Sequence, residues 1–502
     1  MVQRTPPFAL AVPQRQAGTS ACRWLCVALR GEILEGRLRP GDRLTSTRAL
    51  AKQYALSRGT VVSAFDQLKS EGYLEGAVGS GTYVSQILPD DLLQVSRRAV
   101  ARPPVRRIQP LRVSAFARRV NAFPGFTSRP TRAFRTDQPA LDLFPTTLWA
   151  QLTARRLRRA TTSLLLGCSP MGYPPLQRAL ADYLRTSRGV NCAPQQIAIV
   201  SGVQEALDLV ARVIVNPGDR VCMENPGYTG AALVFRAVGA KIVTMPVDQE
   251  GMRVPDRHLP GVRLAYVTPG HQFPLGMAMS LRRRLKLLEW ARQSGVLIFE
   301  DDYDSEYRYS GHPVPALQGM DRHGLVLFAG SFSKVLFPSI RLGYLVVPSD
   351  LVDSFAAIRS VTTRHAPLLE QASLCDFIAQ GHFGRHVRRM REVYAERRSV
   401  LLECAQQRLT GLLQIIGVEA GLQTAGWLGG GIDGESAARA AAALDVEVTP
   451  LSRYCRGRSV PAGLQLGFAA IDPLEIRRGI LDLSAALEAL AESHPSDSTT
   501  DH

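Results

Sequence analysis

The chain is 502 residues long, 45% hydrophobic and 21% charged, ordinary globular usage that leaves out a wholly disordered or fibrous protein. Its length suits roughly two to four domains. Sixty basic and 44 acidic residues give a net charge of +16, and no apolar run approaches the ~20 residues of a membrane-spanning helix.

Met1 to Ser20 is interrupted by Pro6, Pro7 and Pro13 and has no signal-peptide core. The eight cysteines include no C-x-x-C pair, so neither a disulfide framework nor a zinc site is expected, and the cytoplasm is the expected compartment. From Ala21 to Leu38, apolar residues at Trp24, Leu25, Ala28, Leu29, Ile33 and Leu34 recur at helical spacing. Pro40-Gly41-Asp42 reads as a turn, after which Ser46 can cap a short helix through Ala49, Leu50 and Tyr54. Ser57 can open another, with Val61, Val62, Phe65 and Leu68 on its inner stripe and Gly72 at its end. Two β-prone pieces, Tyr73-Leu74 and Thr82-Tyr83-Val84, flank the glycine-rich stretch Gly76 to Gly81. Three helices and a hairpin in this order predict a winged helix-turn-helix over residues 18–86, after a disordered tail at 1–17. The start of a recognition helix favours short hydroxyls and arginines, which reach phosphates and base edges. Ser57, Arg58, Gly59 and Thr60 stand there, with Arg48 on the preceding helix.

This ordered set resembles the GntR family of bacterial regulators. The matching phrases are Pro40-Gly41, Leu44-Thr45-Ser46-Thr47-Arg48, Leu50-Ala51, Ser57-Arg58-Gly59-Thr60-Val61, Glu71-Gly72-Tyr73-Leu74 and Gly79-Ser80-Gly81-Thr82-Tyr83-Val84, with Thr45 where a proline is usual. The resemblance implies that Arg48, Ser57, Arg58 and Thr60 contact double-stranded operator DNA. It also implies that Gly79, Ser80 and Gly81 form the tip of the wing.

Residues 92–136 hold eleven arginines and no acid, with Pro103, Pro104, Pro110, Pro124 and Pro130 interspersed. Proline and like charge both oppose compaction, so residues 87–136 read as a linker. It is either a solvated spacer or a source of non-specific phosphate attraction.

From residue 137 short apolar strands alternate with amphipathic helices. The predicted strands are Ile197–Val200, Val221–Glu224, Ile242–Pro246, Leu264–Thr268, Val296–Glu300, Leu325–Ala329 and Tyr344–Val347, with helices such as Gln204–Val215 and Ser280–Ser294 between them. Such alternation predicts an α/β layer fold with a mostly parallel sheet. Leu369–Arg408 and Pro473–Glu492 read as mainly helical parts of a smaller C-terminal lobe, within a domain spanning 137–491 and followed by a disordered tail at 492–502.

The chain has five lysines, Lys52, Lys69, Lys241, Lys286 and Lys334. Lys334 stands apart: it follows the carboxyl end of a predicted strand, where open α/β sheets bind ligands. A desolvated lysine can form a Schiff base and an arginine cannot. The matching cofactor is pyridoxal 5'-phosphate (PLP), an electron sink when a carboxylate keeps its ring nitrogen protonated. Glu300-Asp301-Asp302-Tyr303 ends another strand, and Ser201-Gly202-Val203-Gln204 is a strand-to-helix junction able to hold a phosphate. Arg341 adds fixed positive charge.

These phrases resemble the fold type I PLP-dependent aminotransferases, and specifically the MocR branch of the GntR family. The others are Glu224-Asn225-Pro226-Gly227-Tyr228, Thr268-Pro269-Gly270-His271-Gln272-Phe273, Gly330-Ser331-Phe332-Ser333-Lys334 and Arg341-Leu342-Gly343-Tyr344. By that resemblance Lys334 bonds covalently to PLP, Asp301 pairs with the pyridine nitrogen, Tyr303 bonds the phenolic oxygen and Tyr228 stacks on the ring. Ser201, Gly202, Val203, Gln204, Ser331, Ser333 and Arg341 take the phosphate, and His271 and Gln272 line the effector pocket. Two departures stand out. Gln465 occupies the place of the arginine that clamps a substrate carboxylate, and Gly167-Cys168-Ser169-Pro170-Met171-Gly172 lacks a tyrosine usual in that phrase. The resulting expectation is a homodimeric transcriptional regulator whose former aminotransferase domain senses an amine, an amino acid or PLP, without efficient turnover. The alternatives are a working aminotransferase with a DNA-binding module, and a DNA-binding protein whose second domain is structural.

Overall fold

A computed structural model of the chain describes residues 18–77, 81–88, 112–122, 131–309, 315–417, 419–457 and 461–493. Its contacts divide between Arg112 and Val113 into two compact units.

The first unit begins with α1 (Ala21–Leu34), α2 (Thr47–Gln53) and α3 (Arg58–Ser70), capped by the hydroxyls of Ser20, Ser46 and Ser57 on the N–H groups of Arg23, Ala49 and Thr60. The first helix stops at Leu34 rather than Leu38. Gly36 turns the chain at φ +73°, and the N–H groups of Arg37 and Leu38 both return to the Glu32 carbonyl. Leu38 is thereby buried beside Leu25, Leu29, Ile33, Leu50, Val61, Phe65 and Leu68. Val62, expected on the inner stripe, is exposed; Ala64 takes the inward position. A hairpin of β1 (Leu74–Ala77) and β2 (Gly81–Val84) completes the unit, with Leu74 opposite Val84. Gly79 and Ser80 lie outside the described residues.

In the second unit an eight-stranded sheet runs in the order β3 (Ile197–Val200), β10 (Gly343–Val346), β9 (Val326–Ser331), β8 (Leu297–Asp302), β7 (Val262–Val267), β4 (Arg220–Asn225), β5 (Lys241–Asp248), β6 (Gly251–Met252). The pairs from β9 through β5 are parallel, whereas β10 runs antiparallel to both β9 and β3, and β6 antiparallel to β5. β3, β4, β7, β8 and β9 therefore point the same way, and their carboxyl ends share one edge. In the C-terminal lobe Leu369–Arg408 and Pro473–Glu492 are mainly helical, as read. Between the long helices His382–Arg408 and Pro473–Ser493 the lobe holds a four-stranded antiparallel sheet, ordered β11 (Leu413–Ile415), β12 (Gln423–Leu428), β14 (Gly463–Gly467), β13 (Thr449–Pro450).

The arginine-rich segment also departs from the spacer reading. Helix α4 (Ala115–Arg119) docks on the second unit: Arg119 donates to the Ala237 carbonyl, and the Arg212 guanidinium lies over the Phe116 ring. Further on, Ala133 bridges Val446, Phe134 is fully buried, and the Phe134 carbonyl accepts from Gly467 N–H. The expected border at residue 137 thus falls inside a packed segment, in which Phe134 is buried while Arg132 and Arg135 pair with Asp445 and Glu447.

Candidate functional site

Lys334 lies three residues beyond β9, on the shared edge of carboxyl ends. Its Nζ sits 2.8 Å from both the carboxylate and the carbonyl oxygen of Asp137. Asp137 is held at φ +68°, and its N–H donates to Gln423 Oε1 at 3.0 Å. On β8 the residues alternate between the two faces. Asp302 takes a bidentate bond from Arg188, at 2.7 and 3.0 Å, while Asp301 accepts the Tyr266 hydroxyl at 2.7 Å on Oδ2. Asp301 Oδ1 is buried with no partner among the described residues. Burial raises this carboxyl to about 7, with the Tyr266 hydroxyl and Lys334 opposing the rise.

That shift has a testable sign. In the folded chain Asp301 keeps a proton that the unfolded chain releases from about pH 4 upward, so its contribution to stability falls as pH rises toward about 7. Asp301→Asn lacks this loss. Without added PLP, the stability of that variant relative to the parent should grow between about pH 5 and about pH 7, by up to about 1.4 kcal/mol per pH unit. Urea midpoints measure it, and a difference that ignores pH would contradict the burial of this carboxyl.

At the neighbouring strand end, Gly202 at φ +129° redirects the chain from β3 into α5 (Val203–Ile214), whose inner face buries Ala206, Leu207, Val210 and Ala211. The N–H groups of Val203 and Gln204 have no acceptor among the described residues, which gives this end the field and donors of an anion site. A Cβ on Gly202 would lie 3.8 Å from Arg341 Nη1, so that guanidinium stands against the same helix start. Arg341 itself adopts the left-handed region at φ +49°. Ser331 Oγ accepts from Ser333 N–H at 3.2 Å, and Ser201 N–H is committed to Glu205.

An aromatic group lies between these ends. Phe273 meets Tyr228, Tyr303 and Tyr454 edge to face, with centroids 5.7, 5.9 and 5.0 Å away. The Tyr303 hydroxyl lies 3.1 Å from His271 Nδ1, which also contacts the Asp304 carboxylate at 2.9 Å; His271 Nε2 is buried without a partner among the described residues. Burial pushes the Tyr228 and Tyr303 hydroxyls up, and the charges of Asp301 and Asp137 act in the same direction on both. Gln272, expected to line the pocket, instead braces the loop. Its amide donates to the carbonyls of Pro226 and Phe273 and accepts from Leu275 N–H, which leaves little for a ligand. Gln465 is fully buried on β14. Its Oε1 accepts the Tyr454 hydroxyl at 2.8 Å and its Nε2 has no partner among the described residues.

In the first unit Ser57 Oγ accepts Thr60 N–H at 3.1 Å and lies 2.8 Å from Thr60 Oγ1, so both hydroxyls serve the helix start. Arg48 and Arg58 are exposed on α2 and at the first position of α3. A Cβ on Gly81 would come 3.0 Å from Arg43 Nε, which adds an arginine beside the hairpin that sequence reasoning overlooked. Asp137, Tyr266, Asp304 and Tyr454 were overlooked as well. Only the extra hydroxyl of Tyr266 inside an apolar strand, and the closeness of Asp304 to Asp301, offered a signal.

Residues 26–84 match the family model of bacterial regulatory proteins, gntR family, and residues 138–424 match that of aminotransferase class I and II. The chain is 41% identical over 485 residues to the probable rhizopine catabolism regulatory protein MocR of Rhizobium meliloti, covering 96% of this chain and 97% of that one. It is 31% identical over 476 residues to the HTH-type pyridoxine biosynthesis transcriptional regulator PdxR of Corynebacterium glutamicum, covering 93% and 96%. Among solved structures it is similar to LysN, the α-aminoadipate aminotransferase of Thermus thermophilus complexed with N-(5'-phosphopyridoxyl)-L-leucine. That similarity has a TM-score of 0.68 and 27% identity over 76% of this chain and 98% of the other.

Proposed function

The chain belongs to the MocR-like branch of the gntR family, transcriptional regulators that join a winged helix-turn-helix to a class I and II aminotransferase domain, and from that premise we propose that its second unit binds PLP through Lys334 and reports a small amine, an amino acid or PLP itself to the DNA-binding unit. The observation that carries the proposal is the buried Oδ1 of Asp301, without a partner among the described residues and on the same sheet edge as Lys334. A buried carboxylate without a cation is costly, and a protonated ring nitrogen is the partner that would relieve it.

The residues present fit the cofactor. Lys334 supplies the amine, Asp301 holds the proton at the ring nitrogen, and Tyr228 and Tyr303 bound the ring. The N–H groups of Val203 and Gln204, with Gly202, Ser201, Ser331, Ser333 and Arg341, bind the phosphate. PLP held through Lys334 would supply an electron sink and an electrophilic carbon open to exchange with other amines. His271, Gln465 and Tyr454 would orient what reaches it. Buried Gln465 supplies hydrogen bonds but no charge for a substrate carboxylate, which favours sensing over sustained transamination.

The regulatory logic is linkage. A ligand that binds one arrangement better must shift DNA affinity, and DNA must shift ligand affinity by the same factor. A homodimer would present two winged helices to paired half-sites. Among the described residues no helix is long and apolar enough to cross a membrane. Two measurements test the reading: borohydride reduction followed by peptide mass spectrometry for a pyridoxyl adduct on Lys334, and DNA affinity with and without candidate amines. Steady-state turnover with an amino-donor panel would favour the working aminotransferase instead.

Arg58→Ala is expected to weaken specific DNA binding by about 1–3 kcal/mol if the side chain reads a base edge. Fluorescence anisotropy, at matched salt, on DNA that the parent selects from a random pool measures this. Equal affinity of variant and parent would remove Arg58 from the reading surface.

A further inference from the structure

We infer that the ligand reported by this site is a primary amine with no carboxylate beside the amine, and that Asp137 is the residue that selects it. The inference rests on the reading of Lys334 above. Asp137 is fixed from several sides: its N–H by Gln423, its carbonyl and carboxylate by Lys334 Nζ, and its backbone in the left-handed region at φ +68°. Its side chain is 43% exposed, so it remains open to an incoming molecule. Its charge acts on the hydroxyls of Tyr228, Tyr303 and Tyr454, which lie on three separate segments. The carboxylate therefore stands beside the lysine, with the aromatic group in its field.

Charge decides what can enter. With Lys334 committed to the cofactor, Asp137 would lose its cation, and the ammonium of an arriving ligand would replace it until that amine takes the lysine's place and the Lys334 cation returns to Asp137. A carboxylate on the carbon bearing that ammonium would meet Asp137 as a like charge within a few ångströms. No countercharge comes from Gln465, which is neutral and fully buried. Arg341 stands at the start of α5. Among the described residues, Arg456 is a further cation near the aromatic group. Its Nη2 is turned onto the carbonyls of Gly227 and Tyr228, and its Nη1 is buried with no partner among the described residues. Asp137 thus favours a cation at the amine position and opposes an anion on the carbon that bears it.

The test uses the full chain saturated with PLP and matched pairs of ligands: ethanolamine against serine, and putrescine against ornithine. Absorbance titration gives half-saturation, and calorimetry on borohydride-reduced protein gives binding without bond formation. Each amine should bind at least about 30-fold more tightly than its carboxylated partner. Asp137→Gly, which suits the positive φ, and Asp137→Asn should both erase the preference, while Asp137→Glu keeps part of it. Equal binding of amine and amino acid, binding of neither, or tighter binding of the amino acid that Arg456→Gln abolishes would each overturn the inference. Peptide mass spectrometry separates the two levels. An adduct on Lys334 without amine preference sinks this inference alone, and no adduct on Lys334 sinks the cofactor reading with it.

Discussion

Lys334→Ala should abolish covalent attachment of PLP at the site, so that protein dialysed free of excess cofactor carries no stoichiometric pyridoxyl adduct after borohydride treatment. No other lysine stands at the site. Lys286 is an exposed side chain paired with Asp256 at 2.7 Å, Lys241 opens β5 at an exposed position, and Lys52 and Lys69 lie in the first unit. Lys334→Arg sharpens the result. It keeps a cation for Asp137 but cannot make the bond, because a guanidinium stays protonated at any accessible pH. Both variants should lose the absorbance of the attached cofactor, and both should keep the salt-dependent, non-specific affinity for DNA. An unchanged spectrum in either variant would refute the role of Lys334.

Phe134→Ala should cost the second unit about 3–5 kcal/mol, the usual penalty for emptying a fully buried aromatic site. The residue sits in the last stretch of the arginine-rich segment. Its backbone is at φ +63°, a region that bulky residues rarely adopt unless the surroundings hold them there. The hold is visible in the Gly467 N–H bond to its carbonyl, the Glu447 N–H bond to the Ala133 carbonyl, and the Arg135–Glu447 ion pair. A Cβ on Gly467 would come 2.0 Å from the Arg135 carbonyl oxygen, so this close approach of backbones also needs that glycine. Because Asp137 follows three residues later, loosening this segment should weaken PLP retention along with stability. Urea denaturation resolved for the second unit measures the first effect and dialysis of the loaded protein the second. An unchanged midpoint would mean that residues 133–137 are not docked as described.

Much of the architecture was readable along the chain because its signals are local. The caps at Ser46 and Ser57 and seven of the eight strands of the large sheet, all but the two-residue β6, fall within one or two residues of their predicted places, since helix and strand periods are short-range properties. Lys334 and Asp301 were singled out for the same reason: each ends a recognisable strand. Errors arose where periodicity was absent. β11 and β13 have three and two residues, too short to show any alternation, and exist because β12 and β14 pair with them. Gln272 was placed at the pocket by resemblance alone, and its amide turns back into its own loop.

Order of residues sufficed to place a winged helix ahead of an α/β domain, to single out one lysine as the chemically distinctive amine, and to put a carboxylate on a neighbouring strand. Folding alone brought Asp137 to Lys334 across 197 positions, Tyr266 to Asp301, and Tyr454 to Gln465. A pair so far apart has no spacing to betray it. Its meeting follows from sheet order, from the burial of Phe134 and from the return of the C-terminal lobe over the sheet edge, and those contacts set the charge of the pocket.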